Sequence, residues 1–298
     1  MSKLAHCTRV TPDCPIQATT YGYYPSFAPN TLLLCLFAIC AVGQIVLCIL
    51  TRVYAYSIAI GIGATMEAVG YAGRLMMHDN PYSGAGFKAN VICLLIAPSF
   101  IAGGIYLTMK HYILSHAPEF SLLKPALYTW IFIGCDILSI LLQAIGGGFA
   151  SGADPEDRKR RDLGNNIMVG GIVFQVVTMV FCGALVVAYM YRKWRHERHG
   201  SAVEKIPDVA AGAPWKIRAF RYMVVLAYLT VLVRCIYRIP EMVGGWGNEL
   251  MRKETDFLVL DGMMVVIATV GLTVTHPGYF FPAMRTNSKN PILELSRR

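Results

Sequence analysis

Apolar stretches of membrane-spanning length recur along this 298-residue chain, from Leu32 to the neighbourhood of His276. A helix that crosses the hydrocarbon core of a bilayer needs about 20 predominantly apolar residues. Their recurrence leaves no stretch for a separate soluble core, although the length alone would admit one or two soluble domains. Composition agrees, with 55% apolar residues, 15% charged residues and a mean hydropathy of +0.48. The expected fold is all-α: a polytopic membrane protein built as a single bundle of seven transmembrane helices.

Reading the apolar runs against their breakers places the spans at 31–50, 54–77, 89–114, 126–149, 166–191, 220–239 and 257–276. Pro81, Pro118, Pro125, Pro155 and Pro214 punctuate the connections, as expected where helices end. Pro98 falls inside the third span and is expected to kink it, with a neighbouring helix satisfying the carbonyl that it frees. The first thirty residues carry Pro12, Pro15, Pro25 and Pro29 and no continuous apolar core, so they do not read as a cleaved signal. Lys and Arg in the short connections favour an extracellular N-terminus and a cytoplasmic C-terminus. Residues 1–30 are then an extracellular tail, 31–276 the membrane domain and 277–298 a cytoplasmic tail. The loop "DPEDRKRRD" works against this orientation, but its acids neutralise it.

Seven of the nine cysteines lie in apolar runs and read as small buried hydrophobes. Cys7 and Cys14 stand apart in the tail, where a disulfide and two free thiols are both open. The basic run "YRKWRHERH" (191–199) begins where the fifth span ends. Tethered there, it reads as an anchor on anionic headgroups, at about 1 kcal/mol per base, or as a topology signal alone. Nucleic acid is not an expected partner.

Charges inside the spans are the sharper clue, because an ionised group at the centre of a span costs about 2.5–3.5 kcal/mol on insertion scales. Glu67 and Arg74 are two turns apart, about 10.5 Å along one helix face, so their partners are expected on other helices. Asp136, Ser139 and Gln143 form a polar stripe at i, i+3 and i+7. Gln175 lies in the fifth span, Arg234 and Arg238 in the sixth with Glu241 just after Pro240, and Asp261 in the seventh. The acids and bases nearly balance, which implies internal pairing with every charge facing inward. In the expected orientation these groups line the middle and outer half of the bundle, like a cup opening outward. Two roles fit such groups: fixing helix register, or binding a ligand. The convergence of nine of them (Glu67, Arg74, Asp136, Gln143, Gln175, Arg234, Arg238, Glu241 and Asp261) favours a ligand or translocation site. Within it, Glu67 and Asp136 are the acids that a cationic amphiphile or a coupling proton would meet, with Arg234 the expected cation beside one of them.

These residues also carry a family resemblance. Tyr21-Gly-Tyr-Tyr-Pro-Ser26 before the first span resembles the entry motif of the fungal RTA-like proteins, the lipid-translocating exporter family. So do Glu67, Gly70, Tyr71, Gly73 and Arg74, Ala97-Pro98, Tyr106, Asp136, Gln143, Gly146-Gly147-Gly148 and Gln175. The likeness extends through Arg234, Tyr237-Arg238, Glu241, Glu254, Asp261 and His276-Pro277-Gly278. Pro240 and Tyr237 depart from the family pattern. The resemblance implies a seven-helix membrane protein linked to efflux or translocation of amphiphiles, such as sphingoid long-chain bases, toxic amphiphilic compounds or, in one branch, porphyrins.

Three function classes follow. A translocator of amphiphilic lipids suits the mid-membrane acids and the lipid-facing gaps between helices. Its partners would be membrane lipids and an amphiphilic small molecule, and its place an integral one in the plasma membrane or, as the alternative, in a vacuolar or other internal membrane. No GxxxxGK[ST] motif supplies ATP, and no cofactor is expected. A seven-helix receptor or sensor would also use an outward cup and a basic third cytoplasmic loop. An intramembrane hydrolase needs about three metal ligands at one depth, and the spans offer only His276 and His111 among histidines, so neither a metal nor an enzyme is expected.

Overall fold

The computed structural model describes residues 7–116, 125–151, 157–198, 214–245, 247–281 and 284. Its main elements are α1 (Phe27–Thr51), α2 (Tyr54–Asp79), α3 (Gly84–His116), α4 (Pro125–Ser151), α5 (Arg158–Arg198) and α6 (Pro214–Val243). The last apolar run is composite. It begins as α7 (Glu254–Phe257), loosens into a π turn (Leu258–Met263) and continues as α8 (Met264–Val274), before a short α9 (Pro277–Phe280). Among the described residues the remaining regular structure is a 3₁₀ turn at Ile16–Ala18 and an isolated antiparallel bridge between Thr11 and Cys14.

The chain is an all-helical integral membrane protein. Among the described residues, six helices are long and apolar enough to cross a bilayer by length and composition, including Phe27–Thr51 and Glu254–Val274. The one of the seven expected spans outside that set is α2, whose apolar run is diluted by Glu67, Arg74 and several glycines. Large apolar side chains face outward on the long helices; Trp130 is 78% exposed and Ile49 70%. Such faces find their solvent in lipid.

Packing divides the bundle. α2 lies between α1 and α3, and α8 packs on α6 and α1. Gly73 and Gly86 let α2 and α3 approach closely, since a Cβ on Gly73 would stand 2.6 Å from the Gly86 carbonyl oxygen. The main apolar core gathers Phe37, Tyr56, Ile60, Tyr71, Leu94, Ile101, Val231 and Leu272 from this side. A smaller core of Tyr106, Phe132, Cys182 and Tyr189 joins α3, α4 and α5.

Several boundaries differ from the sequence expectation. The bases of "RKRR" (158–161) are the first turn of α5, not a loop, and Asp157 Oδ1 accepts the Arg160 N–H at 3.1 Å there. The basic run from Tyr191 to Arg198 continues the same helix, so the 41 residues of α5 outrun the bilayer core. α3 is continuous through Pro98, and α6 continues through Pro240 to Val243, which keeps Glu241 one turn from Arg238. Pro277–Phe280 packs back on the bundle: the ring of Phe280 meets Trp215, and the following Phe281 stacks on Phe220. Of the Lys and Arg residues in the tails and connections on which the orientation rests, Lys3, Lys124, Lys205, Arg285, Lys289, Arg297 and Arg298 lie outside the described residues, as does His199 of the basic run.

Candidate functional site

All nine expected site residues are buried: Glu67, Arg74 and Asp261 completely, and none of the others more than 4% exposed. The interior is where a charge within an apolar run finds polar company. The structure sorts eight of the nine into four groups and leaves Glu67 outside them.

The tightest group forms where α6 meets the π turn. Asp261 Oδ1 accepts from Arg238 Nε at 3.1 Å and is ion-paired with Arg234, whose Nε stands 2.8 Å away without hydrogen-bond geometry, while Arg238 Nη1 donates to Glu241 Oε2 at 2.8 Å. The π turn sets Asp261 into this position, and such insertions are frequent at functional sites. Arg234 also donates from Nη2 to the Leu94 carbonyl of α3. This is the carbonyl that Pro98 leaves without its i+4 N–H. A proline in α3 and an arginine in α6 thus satisfy one another.

Arg74 forms the second group. Its Nε donates to Asn30 Oδ1 at 3.0 Å, and its Nη2 donates to the Tyr23 hydroxyl at 2.9 Å and to Glu254 Oε1 at 3.3 Å. Glu254 in turn accepts from the Ser26 N–H at 2.8 Å, the Ser26 hydroxyl at 2.6 Å and Asn30 Nδ2 at 3.1 Å. The guanidinium carbon of Arg74 stands 4.2 Å from the centre of the Phe257 ring, and that of Arg238 stands 5.8 Å from it. One aromatic ring therefore lies between the first two groups.

A third group crosses the other side of the bundle. Gln143 Nε2 donates to Gln175 Oε1 at 3.1 Å, and Gln175 Nε2 donates to the Ser99 hydroxyl at 2.9 Å, linking α4, α5 and α3.

Asp136 stands apart as the fourth. Tyr106 is the donor beside its carboxyl, close to it but without completing a hydrogen bond of good geometry. Glu67 belongs to none of these networks. It feels the charges of Arg234, Asp261 and Arg238, but both its carboxylate oxygens are buried without a hydrogen-bond partner. Arg234, the cation expected beside Glu67 or Asp136, acts on Glu67 through its charge, while its ion-pair partner is Asp261.

The cup is covered rather than open. Tyr21 is buried under the N-terminal segment, accepts from Asn90 Nδ2 at 2.8 Å and sits with its ring 5.3 Å from the Arg74 guanidinium. Burial pushes the Tyr21 phenol up to about 12 against the pull of Arg74, so it covers Arg74 as a neutral group. Outside this cover, Cys7 and Cys14 form a disulfide, Asn80 Nδ2 donates to the Thr8 carbonyl at 2.9 Å, and His78 Nδ1 donates to the Pro25 carbonyl at 2.7 Å.

Sequence reasoning left Glu254, Asn30, Tyr23, Ser26, Ser99 and Tyr106 out of the set. Glu254 had a signal, an acid at the threshold of the last apolar run, whereas Asn30 and Ser26 look like ordinary residues at a helix start.

The RTA1-like protein family matches residues 60–284. The chain belongs to this family. It is 32% identical to the sphingoid long-chain base transporter RSB1 of Saccharomyces cerevisiae, over 89% of this chain and 75% of that protein. It is 27% identical to the probable lipid transporter atnI of Emericella nidulans, over 90% and 73%, and 26% identical to protoporphyrin uptake protein 1 of S. cerevisiae, over 74% and 67%. No solved structure matches the chain.

Proposed function

We propose that this RTA1-like protein translocates amphiphilic lipids of the sphingoid long-chain-base type across a membrane, without catalysis, and so contributes to efflux and resistance to toxic amphiphiles. The observation that carries the reading is Glu67, a wholly buried carboxyl that lacks a hydrogen-bond donor while the bases near it are engaged elsewhere. A carboxylate left in this way is costly to bury. A proton neutralises it, and the ammonium of a sphingoid base would bring the donors it lacks. Exchange of one for the other couples headgroup movement to a proton. Asp136, close to the Tyr106 hydroxyl but without a well-formed hydrogen bond, would be the second station on the α4 side. The relatives' transporter names support the same reading.

Seven spans, an extracellular N-terminus and a plasma-membrane location belong to this proposal. α2 packs along α1 and α3 as a span would, despite its lower hydropathy. The Cys7–Cys14 disulfide suits an oxidising exterior. The receptor alternative drew on a basic third cytoplasmic loop, of which residues 199–213 lie outside the described residues, and no described feature favours it.

The test is reconstitution into liposomes with a labelled sphingoid base, following its distribution between leaflets. Protein-dependent equilibration is the expected result. A rate equal to that of protein-free liposomes overturns the reading.

A further inference from the structure

We propose that residues 7–21 form a hinged strap that gates the Arg74 end of the translocation path, lying closed here and lifting about Gly22 when a cationic headgroup passes. The proposal rests on the translocation reading above and adds the part that must move. Glu67, Tyr71 and Arg74 fall at i, i+4 and i+7 on one face of α2, and all three are fully buried. A headgroup moving between Glu67 and this end of the bundle therefore has to displace something. The helices resist: α2 meets α3 with Gly73 and Gly86 in backbone contact, and Glu254 ties the start of α7 to Ser26, Asn30 and Arg74.

The strap is the weakest of the elements over Arg74. Of its residues Thr19 and Tyr21 alone are buried. Bundle side chains hold it by its backbone carbonyls: Asn80 at Thr8, the Tyr82 hydroxyl at Pro15 at 2.9 Å and Arg252 at Gln17 at 3.3 Å, all exposed to water. Segments with few buried apolar contacts and exposed hydrogen bonds open first. The deepest hold is Tyr21, whose hydroxyl accepts from Asn90 and whose ring meets Phe87 edge-on, with centres 5.8 Å apart. The strap is also built to move as a unit. The Cys7–Cys14 disulfide and the bridge between Thr11 and Cys14 brace its first half, and the 3₁₀ turn at Ile16–Ala18 follows. Gly22, directly after Tyr21, has a φ of +74°, in the left-handed region that favours glycine. Beneath the strap lies a cavity of about 190 Å³, whose lining includes Thr19, Tyr21, Met77, Tyr82, Ser83 and Phe87. Arg74 Nη1, buried without a hydrogen-bond partner, would reach water once the strap lifts.

Met77, 2% exposed and lining that cavity, can report the opening. The full-length Met77→Cys protein in liposomes is treated with a charged, membrane-impermeant maleimide. Modification at residue 77 is read by mass spectrometry, apart from the native cysteines. Ser83→Cys is a second reporter, and the unfolding temperature checks that both variants are folded. Sphinganine is expected to raise the rate on the order of tenfold, by favouring the open state, whereas hexadecanol, which has no ammonium, leaves it near the resting value. Glu67→Gln should lose the response. Tyr21→Phe, which takes the acceptor from Asn90, should raise the resting rate about fivefold, the scale of one hydrogen bond. A rate that sphinganine leaves unchanged in both reporters, while the same liposomes equilibrate it, overturns the strap and spares the translocation reading. An equal response to hexadecanol also overturns the strap, since it would then answer to any amphiphile. Liposomes that do not equilibrate sphinganine at all overturn both.

Discussion

Two sides of the bundle treat buried charge in opposite ways. On the α6 side, Arg234, Arg238, Glu241 and Asp261 form a chain of contacts between 2.8 and 3.1 Å, and Arg74 is engaged by Asn30, Tyr23 and Glu254. On the α4 side, Asp136 has only the Tyr106 hydroxyl near it and no well-formed hydrogen bond, and α3 and α4 stand far enough apart to leave a chamber. Glu67 lies between the two regimes, near the paired bases in space but bonded to none. The difference separates two uses of an intramembrane charge. Paired groups fix helix register, and their removal strands a partner; unpaired acids are already without one, and a ligand or proton completes them.

Removing a paired base should therefore have the largest effect on stability. Arg234→Ala leaves Asp261 to Arg238 alone and reopens the Leu94 carbonyl, and we expect a loss of about 3 kcal/mol, read as a large drop in the unfolding temperature of purified protein and in its yield. A normal unfolding temperature would break the contrast between the two sides. Arg74→Met should cost less, about 2 kcal/mol, because Glu254 keeps Ser26 and Asn30 and is partly open to water. Its signature is loosening of the N-terminal cover, measured as faster proteolysis ahead of α1. The smallest effect sharpens the account of Pro98. Alanine at this position restores an N–H for the Leu94 carbonyl and competes with Arg234, so Pro98→Ala and Arg234→Ala should be coupled by about 1 kcal/mol in a double-mutant cycle. Strict additivity would mean that proline and arginine do not serve one another.

The sequence announced the helices and the inwardness of the nine polar residues, because an apolar run long enough to span leaves a charge only the interior. It did not announce the pairing. A spacing of i to i+7 shows that Glu67 and Arg74 share a face, but not which helix meets that face. Arg234 was matched by depth to Glu67 or Asp136, and its charge does reach Glu67; that its ion-pair partner is Asp261, in a π turn, was hidden, because that turn has no plain signature in "LVLDGM". Pro98 was half legible: a freed carbonyl was expected to find a neighbour, but not that the neighbour would be a guanidinium. Residues 21–26 read as an outer tail, whereas Tyr21 and Tyr23 reach in to cover Arg74. The chamber between α3 and α4 was hidden altogether, since it depends on the separation of two helices.

The central claim is that Glu67 and Asp136 carry function while their paired neighbours carry structure. Its most direct test measures sphingoid-base translocation and unfolding temperature together for Glu67→Gln and Asp136→Asn, at matched protein levels in liposomes. We predict loss of translocation in both variants, with stability within about 1 kcal/mol of the parent, because neither amide breaks an existing bond. Full translocation in both variants would contradict the account.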